Sequence, residues 1–310
     1  MKAVRFHEYG DPAVLRFEDV EQPVAGAGQV LVRVAGTSFN GIDGNIRAGY
    51  MQGPIPIALP HTPGVDVAGT VAALGEGVTG FEAGDRVTAF LTLAAVGASA
   101  EYVVVPAEFL AAAPRSIDLA DAASLPTVGL TAWQALFEHA QVTAGRRVLV
   151  NGAGGAVGGY AVQLAKRAGA HVIAVAGPSH ADRLKTLGAD EIIDHTTTDV
   201  TTAVTAVDVA LNLAPVEPAQ LAALVTLLRD GGVLVNTTVW MPAPSDEQRG
   251  VRGINLFVHP DAAQLTQLGE LIDAGELRID VARRVPLADL ATVHTEAAAG
   301  TLPGKVVIVA

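Results

Sequence analysis

Apolar positions along the chain follow two different periods. In the N-terminal third they alternate or run in short blocks: "QVLVRVAGTSF", "VDVAGTVAALG", "DRVTAF" and "AEYVVVP" are β-rich and are closed off by Gly, Pro or Asp. This pattern predicts a compact, mostly β region. From "RSIDLADAASLPTVGLTAWQALFEHA" onward helices alternate with strands. The strand candidates are 148–151, 171–176, 191–194, 207–213, 233–237 and 254–258. Between the fourth and fifth, Leu221, Leu224, Val225 and Leu228 recur at helical spacings of three and four. Six strands with helical crossovers predict an α/β, doubly wound parallel sheet. The closing "LRIDVARRVPLADLATVHTEAAAGTLPGKVVIVA" reads as strand, helix, strand, and its pattern leaves open which region it joins.

Composition narrows the picture. A length of 310 residues, half of them hydrophobic, suits two domains with sizeable cores. With no cysteine, disulfides and thiolate-ligated metal sites are excluded. No unbroken apolar run reaches the ~18 residues of a spanning helix. The opening "MKAVRFHEYGDP" lacks the apolar stretch of a secretory signal, so a cytoplasmic protein is expected. A net charge of −12 repels phosphate backbones, which argues against a nucleic-acid partner. A small anionic ligand remains open, because local geometry overrides net charge.

Such a place exists in "VLVNGAGGAVGGYAVQLAKRAGAHVIAVAG". Val157, Tyr160, Ala161, Leu164, Ala165 and Ala168 form a helical stripe, and the turn before it carries glycine at 152, 154, 155, 158 and 159. Glycine lets another group approach the backbone, and a helix start offers unpaired N–H groups and a positive dipole end. A diphosphate seat formed by Gly152, Gly154, Gly155, Ala156, Val157 and Gly158 follows. The plainer reading is a turn that only permits tight helix–sheet packing. The spacing departs from G-x-G-x-x-G, since Val157 stands where the third glycine would fall and Gly152, Gly155 and Gly158 recur every three residues. The strand before and the helix after it favour dinucleotide binding.

In NAD-binding units an acidic residue at the end of the second strand grips the ribose 2′-hydroxyl. Here residues 174–181 contain no Asp or Glu, and Asp182 falls inside the next helical segment. Gly177, Ser179 and His180 are candidates to receive a 2′-phosphate, with Arg183 adding charge, so NADPH is expected over NADH. Asn236 and Phe257 sit at predicted strand ends, facing the crevice where doubly wound sheets bind ligands. Core packing is the stronger reading for Phe257.

Several ordered motifs resemble the zinc-independent NADPH:quinone oxidoreductase branch of the medium-chain dehydrogenase/reductase superfamily. The glycine turn is similar to that branch's G-A-A-G-G-V-G. "SFNGIDGNIRAGY" resembles N-P-x-D-x-K-I-R-x-G, "LPHTPGVDVAGTVAALGEGVTGFEAGDRV" the P-G-x-[DE]-x-A-G-x-V…G-D-x-V block, "SLPTVGLTAWQAL" the L-P…G-L-T-A-W stretch and "GKVVIVA" the closing strand. Two positions depart: Gly41 replaces the expected proline and Asn45 a frequent lysine. Metal-binding relatives carry Cys at the place of Asn40, His at that of Val65 and a four-cysteine lobe, none of which is present here.

The resemblance implies a GroES-like β domain from both chain ends, 1–117 and 265–310, and a Rossmann NADP-binding domain over 118–264. It implies NADPH as cofactor, hydride transfer to quinones or α,β-unsaturated carbonyls, and a homodimer. It brings Asn40 to a substrate carbonyl or the nicotinamide ribose, against a plain turn asparagine. Asp43 is as well explained by helix capping as by catalysis. The Thr131 hydroxyl is expected near the nicotinamide, on a helix whose apolar face is Leu130, Trp133 and Phe137, while Tyr50 lends a hydroxyl or lines the site. His61 and His259 lack partners at metal or base spacing and read as structural or solvated. A non-catalytic NADPH-binding protein is the alternative from another class. Alcohol oxidation ranks last, because the zinc that would lower the alcohol pKa has no ligands.

Overall fold

The computed structural model describes residues 1–238 and 240–310. They form two compact units, 1–130 with 259–310, and 131–258. The breaks thus fall at 130/131 and 258/259, against the expected 117/118 and 264/265.

In the second unit six parallel strands lie in the order Glu191–Asp194, His171–Ala176, Arg147–Asn151, Val207–Asn212, Leu228–Asn236, Arg252–Asn255. The chain order reverses at Arg147–Asn151, which is the switch point of a doubly wound sheet. Helices cover both faces of such a sheet, so its strands are apolar on both sides. Val148, Leu149 and Val150 are accordingly fully buried. The fifth strand begins at Leu228 rather than 233, because its charged and glycine-rich start, "RDGG", hides it from any apolar pattern. Leu228, expected on the preceding helix Pro218–Leu227, opens this strand instead. The sixth strand ends at Asn255, short of the expected 258.

Of the expected stripe, helix Ala156–Arg167 buries Tyr160, Ala161, Leu164 and Ala165, together with Val162, while Val157 is half-buried and Ala168, also half-buried, lies past the helix end. The helix stops at Gly169, whose φ of +82° no helix continues.

The first unit answers the question left by the C-terminal stretch. Val306–Val309 pairs antiparallel with Gln29–Ser38, and Arg283–Pro286 adds to Val306–Val309 in parallel, with helix Leu290–Ala298 between them. Both chain ends therefore build one seven-stranded sheet, its path extended by Asp66–Leu74, Arg86–Phe90 and Ala111–Ala112, while Tyr102–Pro106, off that path, pairs with Gln29–Ser38. The hairpin of Lys2–Phe6 and Leu15–Asp19 stands apart from that sheet. Among the described residues no helix is long and apolar enough to cross a membrane.

Candidate cofactor-binding site

The glycine turn is dictated by sterics at two positions. Gly152 has φ +87°, and a Cβ there would lie 2.9 Å from the Ala214 nitrogen. A Cβ at Gly158 would lie 2.5 Å from the Ala153 Cα. Only glycine lets the strand end turn this sharply and the helix start pack this closely. Gly155 has no such neighbour: it caps helix Ala156–Arg167 in extended conformation and is exposed. The first N–H groups of a helix have no intrahelical partner, so a first turn starting at the half-buried Ala156 and Val157 offers donors and a positive dipole end.

A groove of about 860 Å³ opens beside this turn. Of the expected residues, Gly152, Gly154, Gly155, Gly177 and His180 line it. The His180 ring stands over the turn, for a Cβ at Gly154 would meet its Cδ2 at 2.6 Å. Ala156, Val157, Gly158, Ser179, Arg183, Asn236 and Phe257 are not among the lining residues. Arg183 is directed to the turn itself, its Nη1 donating to the Gly154 carbonyl at 3.0 Å. Ser179 lies exposed past the strand end.

Two of the expected residues stand away from this groove. Asn236 is buried and its amide is spent on protein groups, donating to the Thr238 and Met241 carbonyls and accepting from the Thr238 hydroxyl. It does not reach the groove. Phe257 is 63% exposed, because the strand ends two residues before it, so neither core packing nor groove lining describes it.

Sequence reasoning missed the opposite wall. His195, Thr196, Thr197, Thr198 and Thr201 line the groove just past the strand Glu191–Asp194. A Cβ at Gly177 would lie 3.8 Å from His195 Nε2, so Gly177 faces the His195 imidazole. The signal was available: "HTTTDVTT" follows a predicted strand end at the ligand-binding edge of the sheet. Asp194 accepts the Thr196 N–H at 2.9 Å and its hydroxyl at 2.6 Å, and these bonds hold its carboxyl below the usual range. Asp199, also on the groove wall, accepts from the Thr201 N–H and hydroxyl in the same way.

Of the remaining candidates, the first unit holds Asn40, Asp43 and Tyr50, and Thr131 opens the second. Asn40 and Asp43 belong to a buried polar cluster with Asp66 and Lys305. Asp66, fully buried, accepts the Thr127 N–H and hydroxyl on one oxygen and the Ser38 hydroxyl and Asn40 Nδ2 on the other. Lys305 Nζ donates to Asn40 Oδ1 at 2.7 Å and to the Phe39 carbonyl at 3.2 Å, and lies 3.5 Å from Asp66 Oδ2. Both ends of the Asn40 amide thereby have partners inside the unit. Asp43 accepts the Asn40 and Gly64 backbone N–H groups, at 2.9 and 3.0 Å. Capping the helix Gly41–Arg47 is its observed work. Burial pushes its carboxyl up to about 6, with the Asp66 charge adding to the rise.

Tyr50 is 70% exposed. Thr131 is buried on helix Pro126–Trp133, which runs on as a π-helical turn, Gln134–His139. Trp133 meets Phe137 edge to face at 4.8 Å, as the apolar spacing indicated. His61 is buried against Phe6, and His259 is exposed. Among the described residues no group of His, Cys, Asp or Glu is arranged to hold a metal ion.

A family model described as alcohol dehydrogenase GroES-like domain matches residues 26–115, and one described as zinc-binding dehydrogenase matches residues 187–308. The chain is 39% identical over 203 residues to the chloroplast envelope quinone oxidoreductase homolog of Arabidopsis thaliana, covering 64% of this chain and 62% of that protein. The match thus spans less than two thirds of that relative's length. The structure of the quinone oxidoreductase from Coxiella burnetii superposes with a TM-score of 0.91 at 31% identity, covering 100% of this chain and 99% of that one. The mycobacterial protein Rv1454c complexed with NADPH gives 0.86 at 29% identity, with both chains fully covered.

Proposed function

The chain belongs to the quinone oxidoreductase branch of the medium-chain dehydrogenase/reductase superfamily, and from that premise we propose an NADPH-dependent, zinc-independent reductase of quinones or α,β-unsaturated carbonyls. The observation that carries this reading is the glycine turn. At Gly152 and Gly158 a Cβ would collide with backbone, and the groove beside them suits a dinucleotide in size and place. When bound, the nicotinamide supplies hydride to an electron-poor carbon. The turn and the first N–H groups of helix Ala156–Arg167 hold the diphosphate. His180 and His195, which both line the groove, would receive the 2′-phosphate, and Ser179 lies in the same turn as His180. Thr131 and Tyr50 are proposed to face the reacting end. Zinc plays no part in this reading: with no cysteine, the Asn40 amide engaged and Val65 apolar, the relatives' ligand set is not rebuilt. Alcohol oxidation, which needs that Lewis acid, is correspondingly disfavoured. A cytoplasmic homodimer completes the proposal.

Consumption of NADPH with 9,10-phenanthrenequinone or an enone tests it, and no turnover with any acceptor would leave a non-catalytic nucleotide-binding protein. Activity is expected to survive exhaustive chelation. NADPH is expected to exceed NADH in kcat/KM by at least roughly tenfold, the equivalent of one charged hydrogen bond. Gly177→Glu, placing a carboxylate on the groove wall beside His195, should reverse that preference by repelling the phosphate. Equal kcat/KM for both nucleotides in the unaltered protein would refute the assignment of the two histidines.

A further inference from the structure

Four neighbouring strands of the parallel sheet end in asparagine, and the four stand at paired register positions: Asn151 beside Asn212, Asn212 beside Asn236, Asn236 beside Asn255. The first three are joined through their amides, Asn151 Nδ2 donating to Asn212 Oδ1 at 2.8 Å and Asn212 Nδ2 to Asn236 Oδ1 at 2.9 Å. The direction of this chain is fixed from its far end. Asn236 Nδ2 faces two backbone carbonyls, Thr238 at 3.0 Å and Met241 at 2.9 Å, and carbonyls only accept. Asn236 therefore turns its oxygen toward Asn212. Asn212 must meet that oxygen with Nδ2, whose other hydrogen goes to the Ala214 carbonyl at 3.1 Å. Its own oxygen then faces Asn151, which must answer with Nδ2. Each amide is oriented by the one before it. The remaining atom is Asn151 Oδ1, an acceptor on a half-buried residue that lines the groove.

We propose that Asn151 is a recognition residue of this groove, its oxygen accepting a ribose hydroxyl of the bound dinucleotide, and that the asparagine relay holds the oxygen in that sense. The inference rests on the dinucleotide reading above. An acceptor at this point welcomes a hydroxyl and repels a phosphate oxygen. It thereby separates the ribose position from the diphosphate position at the helix start, one turn away. Asn212 and Asn236 are positioning residues, acting through Asn151.

The test is calorimetric binding of NADPH and NADH to the unaltered protein, Asn151→Leu and Asn236→Leu, with dinucleotides each lacking one ribose hydroxyl as further ligands. Asn151→Leu should weaken both nucleotides roughly tenfold, and Asn236→Leu, outside the groove, roughly threefold. One deoxy analogue should bind the unaltered protein about tenfold more weakly than its parent, yet bind Asn151→Leu no worse than the parent does. A purely structural role for Asn151 does not produce that non-additivity. Asn151→Ser, smaller and still a donor toward Asn212, serves where leucine disturbs the fold. If the unaltered protein binds dinucleotide but the Asn151 variants stay within twofold, or every analogue loss simply adds, the proposal is overturned while the dinucleotide reading stands. If the unaltered protein binds no dinucleotide, both fall.

Discussion

Replacing Lys305 with methionine should lower the unfolding free energy by about 3 to 5 kcal/mol. The cost does not come from lost packing, since methionine fills much of the same volume. It comes from Asp66, a carboxylate with no exposed surface whose nearby cation is the buried Lys305 ammonium. The neutral donors from Ser38, Asn40 and Thr127 would remain, but they disperse a charge less well than an ammonium cancels it. Asn40 Oδ1 would also lose its donor. Burial lowers the lysine's proton affinity, while Asp66 and Asp43 act to restore it, so the cluster's charges stand or fall together. Adding Asp66→Asn to Lys305→Met should recover most of the loss, because an apolar or neutral replacement of both partners escapes the unpaired charge. Urea titration of the two variants against the unaltered protein checks both statements. A single-variant loss below about 1 kcal/mol would show that the hydrogen bonds alone sustain Asp66.

This cluster also marks where reading the sequence stopped. The doubly wound sheet was legible because its strands are short apolar runs and its helices keep a 3.6 period, both local signals. The turn at Gly152–Gly158 was legible for the same reason: strand, glycines and helix adjoin in sequence. Asn40 and Asp43 were visible as polar residues in a matching motif, but their partners were not. Lys305 is 265 positions from Asn40, and Asp66 is 26, so neither pairing leaves a mark on any window of sequence. A motif asparagine whose amide is turned inward looks identical, as a letter, to one turned toward substrate. Asn40→Ala is accordingly expected to register first in stability. Asn236 was legible as a strand-end residue, but which of the four strand-end asparagines lines the groove, Asn151, was not.

Acidification from pH 7 to pH 5 should cost the fold about 2 kcal/mol, through three buried groups of the first unit whose effects do not share a sign. Burial lowers the pKa of His61 to about 4, and burial together with the nearby Arg47 charge lowers that of His294 to about 3, from an ordinary 6.5. The unfolded chain therefore takes up two protons on passing below pH 6.5 that the folded chain refuses. Stability from these histidines is full above that pH and declines below it. At pH 5 each contributes a loss of about 2 kcal/mol. Asp43 acts the other way. Its folded pKa of about 6 exceeds the ordinary 3.8, so the folded chain binds its proton first and gains about 1.4 kcal/mol over the same interval. His294 isolates the effect best. It packs edge to face on Phe39 at 4.8 Å, and neither ring nitrogen has a hydrogen-bond partner among the described residues. His294→Leu removes two unpaired nitrogens from a buried place, so at pH 7 it should leave stability unchanged or higher. It should also erase its share of the acid loss, making the variant nearly insensitive to pH between 7 and 5. Urea titrations of both proteins at the two pH values decide the matter, and equal losses in the two would acquit His294.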